Sequence, residues 1–361
     1  MRETSQNTRI TDVLRMVSPG TQLRAGLENV LRAKTGALIV IGDTDLIKSI
    51  SHGGFAINAE FNPYKIYELA KMDGAVILSN KADRIVSANV ELNPDPGIMT
   101  QETGIRHRNA ERVSKQTGQV VISISQRRSI ITIYKEDIKY ILQETNRLLT
   151  KANQAIQTLE KYRQTLNQEL INLSALEIED AVTVHDVAQV MKRSEMVLRV
   201  ADEIERYILE LGHEGRLIEM QLDELVSDVA NDLKNVISDY LVDFDKKTLD
   251  DSLIMLATMS DDELLSTTRM AKLLGYEIEV EMLDMQVYPR GFRLLSKIPR
   301  LPSAVIRNIL AHFDDLQGVI NASMDELEEV EGIGEVRAQN IVSGLRRIAE
   351  RVYNNQPLVT T

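Results

Sequence analysis

Between Asp137 and Met285 the chain has no proline and only three glycines, Gly212, Gly215 and Gly275. Apolar residues recur there at three- and four-residue spacing: Ile138, Ile141, Leu148 and Leu149 open the run, and Leu198, Ile204, Ile208 and Leu211 continue it. That period marks one apolar face of a helix, and so long a stretch without a breaker predicts a spine of several long helices. No catalytic constellation is visible in it. His185 and His213 stand alone on helical sequence and read as structural or solvent-facing. The rest of the chain must fold at the ends of this spine, which divides it into residues 1–145, 146–285 and 286–361.

Charge follows the same division. The spine, residues 146–285, holds 14 Lys and Arg against 29 Asp and Glu, a balance of −15 within a chain whose formal net charge is −12. The two ends are therefore free of the acidity and suited to meet phosphates, whereas the spine repels them. Cysteine is absent, which excludes disulfides, thiolate metal sites and a Cys nucleophile. No apolar run is long enough to span a bilayer and no secretory signal is apparent, so a soluble, cytoplasmic protein with no membrane partner is expected.

Residues 1–145 alternate helix and strand patterns. Helices are predicted over 21–34, 63–72 and 109–116. Short apolar runs bounded by Gly or turn residues, 36–42, 75–78, 120–124 and 129–134, read as strands of a central sheet. Two motifs in this α/β domain carry chemistry. Asp73-Gly74-Ala75 sets a carboxylate on a tight turn, and Arg106-His107-Arg108 is a compact cationic triple. A carboxylate that orients or deprotonates a hydroxyl, with cations that hold phosphate oxygens, is what phosphoryl transfer requires. Each motif alone is also common in ordinary turns and basic surfaces.

Residues 286–361 contain two similar helix-turn-helix units. Leu295–Pro302 leads into a helix over 303–311, and Leu327–Gly334 leads into one over 335–348. In the second unit Gly332 and Gly334 flank Ile333, a pattern that exposes backbone N–H groups toward a helix start while Ile333 plugs the core. The turn resembles the helix-hairpin-helix DNA-binding module. Pro302 stands near the position of Gly334 and has no N–H to give, so the first turn should bind phosphate weakly or only buttress the second. Lys297, Arg300, Arg337, Arg346 and Arg347 are candidates for backbone contacts, with recognition of DNA shape rather than base edges.

Taken end to end, the chain resembles the DisA family of bacterial diadenylate cyclases. The residues that carry the resemblance are Tyr67–Ala75, Ala88-Asn89, Leu92 with Pro94-Asp95-Pro96, and Glu102-Thr103-Gly104. They continue through Arg106–Arg108, Ala110–Val113, Lys115–Gly118, Ile124–Arg128, Pro289–Leu295 and Lys297–Pro302. The resemblance implies an N-terminal α/β cyclase domain with a central mixed sheet, a helical spine and a C-terminal helix-hairpin-helix domain. It implies condensation of two ATP into cyclic di-AMP and two pyrophosphates with Mg²⁺ or Mn²⁺, across the subunit interface of a homo-octamer. Branched DNA such as a Holliday junction would suppress synthesis, in association with the nucleoid and with recombination and repair proteins.

On this chain Asp73, Arg106, His107 and Arg108 become the catalytic candidates, with His107 a candidate for phosphate or for metal. Gly74, Ala75, Leu92, Gly104, Ile105, Asn109, Ser125 and Arg128 become the ATP-binding candidates, Leu92 beside the adenine and Ser125 with Arg128 at the triphosphate. Gly332, Ile333, Gly334, Arg337, Lys297 and Arg300 are those for DNA. Three positions depart from the family pattern: Ile105 and Asn109 stand where Thr is usual, and His52 where Asp commonly precedes Gly53-Gly54-Phe55. Ile105 removes a hydroxyl donor and adds bulk beside the triphosphate. An ATP-binding but weakly active DNA-junction scaffold is therefore the alternative reading.

Overall fold

The computed structural model describes residues 5–277 and 283–354. Residues 278–282 of the predicted spine lie outside that range. By contact density the chain forms two compact units, residues 1–155 with 202–221, and residues 156–201 with 222–361.

The first unit begins with helices α1 (Ser5–Met16) and α2 (Gln22–Ala33), the latter capped by the Thr21 side chain on the Arg24 N–H. There follow β1 (Ala37–Ile41), α3 (Asp45–Ser49), β2 (Ser51–His52), β3 (Phe55–Glu60), α4 (Pro63–Leu69), β4 (Ala75–Leu78) and β5 (Arg84–Leu92). Then come α5 (Ile105–Thr117), β6 (Val120–Ser125), β7 (Ile130–Lys135) and β8 (Ile138–Leu142). The strands form one mixed sheet in the order β2-β5-β4-β1-β6-β7-β8, with β3 also paired to β5. β1 runs parallel to β4 and antiparallel to β6. Both faces of the central strands are buried, which is why β1 reads as an unbroken apolar run rather than an alternation. Leu23, Leu27 and Val30 of α2 pack with Ile39, Ile41, Ile122 and Ile133 on one face. Ala110 and Val113 of α5 pack with Leu38, Val40, Val121 and Tyr134 on the other.

The long helices α6 (Thr145–Glu179) and α7 (Val184–Leu211) follow, then α8 (Arg216–Val226), α9 (Val229–Tyr240), α10 (Lys246–Thr258), α11 (Asp261–Leu264) and α12 (Thr267–Leu273). The predicted spine is therefore helical, with one correction at its start. Ile138 and Ile141 belong to β8, which pairs antiparallel with β7, and the helices begin only at Thr145. Three-residue spacing of two isoleucines fits a helix, but Ile138, Tyr140 and Leu142 also alternate, and an open edge of β7 captures them.

The C-terminal helices are α13 (Phe292–Ser296), α14 (Ser303–His312), α15 (Leu316–Asn321), α16 (Met324–Glu328) and α17 (Glu335–Tyr353). Leu294, Leu295, Ile298, Ile306, Ile309, Leu327, Ile333, Ala338 and Ile341 form their shared core. Ile298 packs so closely on α17 that a Cβ at Gly344 would lie 3.0 Å from two of its side-chain carbons.

Candidate functional site

The carboxylate of Asp73 is exposed on the turn between α4 and β4. The turn approaches β5 so closely that a Cβ on Gly74 would sit 2.3 Å from the carbonyl carbon of Asn89 and 2.7 Å from the Val90 nitrogen. Only glycine fits. Its N–H donates to the Asn89 side-chain oxygen at 3.2 Å, and Asn89 takes a left-handed φ of 54°. Ala75, buried, then starts β4. The sequence Asp-Gly-Ala thus fixes the backbone of the turn from which the exposed Asp73 side chain projects.

Cationic residues stand at the start of α5. Gly104 caps this helix in an extended conformation with no side-chain cap, and its first turn contains no acidic residue. A 13-residue helix with an uncapped, exposed N-terminus presents N–H donors and the positive end of its dipole to an anion. Arg106 and His107 are half-buried and Arg108 exposed in that first turn. The Arg106 guanidinium lies over Gly36, where a Cβ would be 2.4 Å from its Nη1. Gly36, a site residue not anticipated beyond its role in bounding a strand, therefore makes room for Arg106.

Burial lowers the pKa of His107; the Glu102 carboxylate opposes this, and the charges of Arg128, Lys139 and Arg106 push it further down. The imidazole is thus biased toward the neutral form, which accepts a proton or ligates a metal. Ser125, the last residue of β6, accepts the Arg128 N–H at 3.2 Å, so Ser125 and Arg128 form one turn. A Cβ at Gly36, the position that Arg106 covers, would also lie 3.1 Å from the Ile124 carbonyl oxygen, so the start of α5 stands beside the end of β6 that leads into this turn.

Asn109 Nδ2 donates to the Leu92 carbonyl at 3.4 Å, so the residue found where Thr is usual holds the end of β5 instead. The Leu92 side chain is 3% exposed and part of the core at the end of β5. Ile105, at 74% exposure, fills no space within the chain; its bulk is presented outward at the helix N-terminus. His52 is exposed on β2.

Three further residues belong to the site and had no signal in spacing. Glu102 accepts the Tyr134 hydroxyl at 2.9 Å and pairs with Lys139. Burial works to raise the Glu102 pKa, but Lys139 and the Tyr134 hydroxyl outweigh it and hold the carboxyl below its usual range. The loop from 93 to 104 is bound to α5 by Gln116 on the Asp95 N–H, Arg112 on the Ile98 carbonyl and Lys115 on the Met99 carbonyl.

The other candidate site lies in the second unit. Gly332 has φ +87° and Gly334 is the extended cap of α17, with no side chain capping it and open space above its Cα. Ile333 between them is 7% exposed and joins the hairpin core. Arg337 is exposed, and its guanidinium donates to the Gly332 carbonyl. In the first hairpin Arg300 takes φ +60°, matching Gly332, and Pro302 caps α14 where Gly334 caps α17. The two turns share a backbone path, but only the second has an N–H at the cap. Arg300 is exposed. Lys297 corrects expectation: it is 8% exposed and paired with Asp232 at 2.6 Å, so its ammonium is spent on the adjoining helix α9 and does not face solvent.

An α/β nucleotide-binding domain with a carboxylate and a cationic helix end, helices of spine type, and tandem helix-hairpin-helix turns define a DNA-binding nucleotidyltransferase. Comparison with known proteins agrees. Residues 24–138 match the model of the DisA bacterial checkpoint controller nucleotide-binding domain, 142–283 that of its linker region, and 292–347 a SAM-like helix-hairpin-helix tandem. The DNA integrity scanning protein DisA of Acetivibrio thermocellus is 55% identical over 344 residues, covering 95% of each chain. That of Carboxydothermus hydrogenoformans is 53% identical, covering 96% of this chain and 98% of its own. Among solved structures, a double mutant of DacA from Staphylococcus aureus covers 39% of this chain and 91% of its own at 18% identity, with a TM-score of 0.29. The chain belongs to the DisA family and is a diadenylate cyclase. Among the described residues no helix is long and apolar enough to cross a membrane.

Proposed function

We propose that the cyclase joins two ATP molecules, each held by one subunit, into cyclic di-AMP, and that branched DNA at the C-terminal hairpins suppresses this synthesis. The observation that carries the reading is the approach of Arg106, in the first turn of the uncapped α5, to Gly36 beside the Ile124 carbonyl, where β6 runs into the Ser125–Arg128 turn. Such a cationic helix start binds a triphosphate and neutralises charge that gathers on the leaving pyrophosphate. Asp73 is the residue for the attacking 3′-hydroxyl: its carboxylate accepts the hydroxyl hydrogen bond and aims the oxygen at the α-phosphate of the opposite nucleotide. Arg106 and Arg108 hold the phosphate oxygens, and the Ser125–Arg128 turn extends the grip along the chain of phosphates. A single site carries one nucleotide, so ring closure requires a second copy facing the first, as a homo-octamer provides.

Among the described residues no group of three His, Cys, Asp or Glu side chains stands ready for a metal. That fits Mg²⁺ or Mn²⁺ held chiefly by ATP phosphates with His107 as a protein ligand, since Mg²⁺ keeps few protein ligands in such sites. When bound, the metal supplies charge neutralisation at the triphosphate.

For function the chain divides at 1–145, 146–285 and 286–361 into cyclase, spine and DNA-binding segments. At the hairpins, Gly332, Gly334 and Arg337 bind DNA phosphates, with Ile333 holding the turn and Arg300 adding charge. The nucleoid is then the place of action, with recombination and repair proteins as neighbours on the same DNA. The test is to incubate the purified protein with ATP and Mg²⁺ or Mn²⁺ beside Asp73→Asn, with and without a four-way junction. Cyclic di-AMP from the parent alone, reduced by the junction, supports the reading. Synthesis by Asp73→Asn at the parental rate, or indifference to the junction, refutes the respective half.

A further inference from the structure

Glu102 is a carboxylate 9% exposed, two residues before the cap of the helix that is read as binding phosphate. A bare carboxylate there would repel the anion. It is instead quenched by the Tyr134 hydroxyl from β7 and the Lys139 ammonium from β8, whose residues sit opposite one another in the sheet register. The Lys139 side chain remains 48% exposed, and its charge reaches His107. An ammonium has three donors, and Glu102 engages only one direction.

We propose that Lys139 is a further triphosphate-binding residue of the cyclase site, with Glu102 and Tyr134 as positioning residues that aim its ammonium. The proposal rests on the reading of the α5 N-terminus as the phosphate end. Lys139 reaches the phosphates that leave as pyrophosphate and has no contact with the nucleoside. Tyr134 holds Glu102, Glu102 holds Lys139, and the sheet keeps all three in register. A salt bridge that served only to tie the loop to the sheet would not discriminate between nucleotides.

The experiment compares ATP and AMP binding by calorimetry, and cyclase turnover, for full-length Lys139→Gln, Lys139→Arg, Tyr134→Phe and Arg108→Gln. Lys139→Gln should weaken ATP binding about tenfold or more, the worth of one charge-assisted hydrogen bond, while AMP binding stays unchanged. Lys139→Arg should restore most of the loss, and Tyr134→Phe should give a smaller loss of the same pattern. Unchanged ATP affinity in Lys139→Gln overturns the proposal, as does an equal loss for ATP and AMP with a lowered melting temperature, which would mark a structural tie. If Arg108→Gln also leaves ATP affinity intact, the reading of the helix end as the phosphate site fails as well; if Arg108→Gln weakens it, only the role of Lys139 falls.

Discussion

Arg293 and Glu177 form a buried ion pair, 2% and 1% exposed, that joins α13 to α6. Around it, Tyr240 donates to Glu177 at 2.9 Å and Ser174 accepts from the Arg293 guanidinium at 2.9 Å. Asp239 accepts the backbone N–H groups of Gly291, Phe292 and Arg293, capping the start of α13. The first hairpin is thereby bonded to the spine helices through a charged core.

Replacing Glu177 leaves the Arg293 charge buried with only the nearby Asp239 carboxyl to offset it. Glu177→Gln should destabilise the protein by about 3–5 kcal/mol, whereas Glu177→Leu with Arg293→Met should recover much of the loss. Denaturant unfolding of the full-length variants, followed by far-UV circular dichroism, measures both.

Burial pushes the Asp239 carboxyl up to about 7 from an ordinary 3.8, with the Glu177 charge adding to it and the backbone N–H groups opposing. A carboxyl whose folded pKa is raised stabilises the fold while protonated. That contribution is full below the unfolded value and is lost as pH rises through the folded one. Stability should therefore decline between about pH 4 and pH 7 relative to Asp239→Asn, in which this slope is absent. Melting temperatures of both proteins across that range decide the matter; parallel profiles would contradict it.

A methyl group at Gly74 has nowhere to go but into the Asn89 backbone. Gly74→Ala should displace the Asp73 turn, cost about 1–3 kcal/mol and lower cyclase turnover by about a hundredfold. Thermal melting and product chromatography give the two readouts; an active, fully stable variant would show that the turn has slack.

Arg337 is exposed beside Gly332 and Gly334, and a phosphate contact from it carries a salt signature. Arg337→Gln should weaken junction binding without regard to sequence and flatten the log K against log salt slope by about 0.9. Binding measured at several salt concentrations shows whether it does.

Much of the candidate site was legible because its motifs are local. Asp73-Gly74-Ala75 and Arg106-His107-Arg108 each lie within one turn or one helix start, where residue type and spacing dictate backbone geometry. The same holds for Gly332-Ile333-Gly334, whose positive φ and buried isoleucine follow from short-range turn chemistry. The helical character of the spine was equally plain, though not its first residue, since helical periodicity and the absence of proline need no partner to be read.

What tertiary structure alone decided were matters of who stands opposite whom. Ile138 and Ile141 became strand because β7 offered an unpaired edge. Lys297, a surface cation by composition, is buried because Asp232 on α9 meets it. Glu102, Tyr134 and Lys139 lie 32 and 37 positions from one end of the cluster to its other members, with no shared period, and the sheet register brings them together. Periodicity and turn propensity act over a few residues, whereas pairing across a sheet or between helices is set by packing that no local window contains.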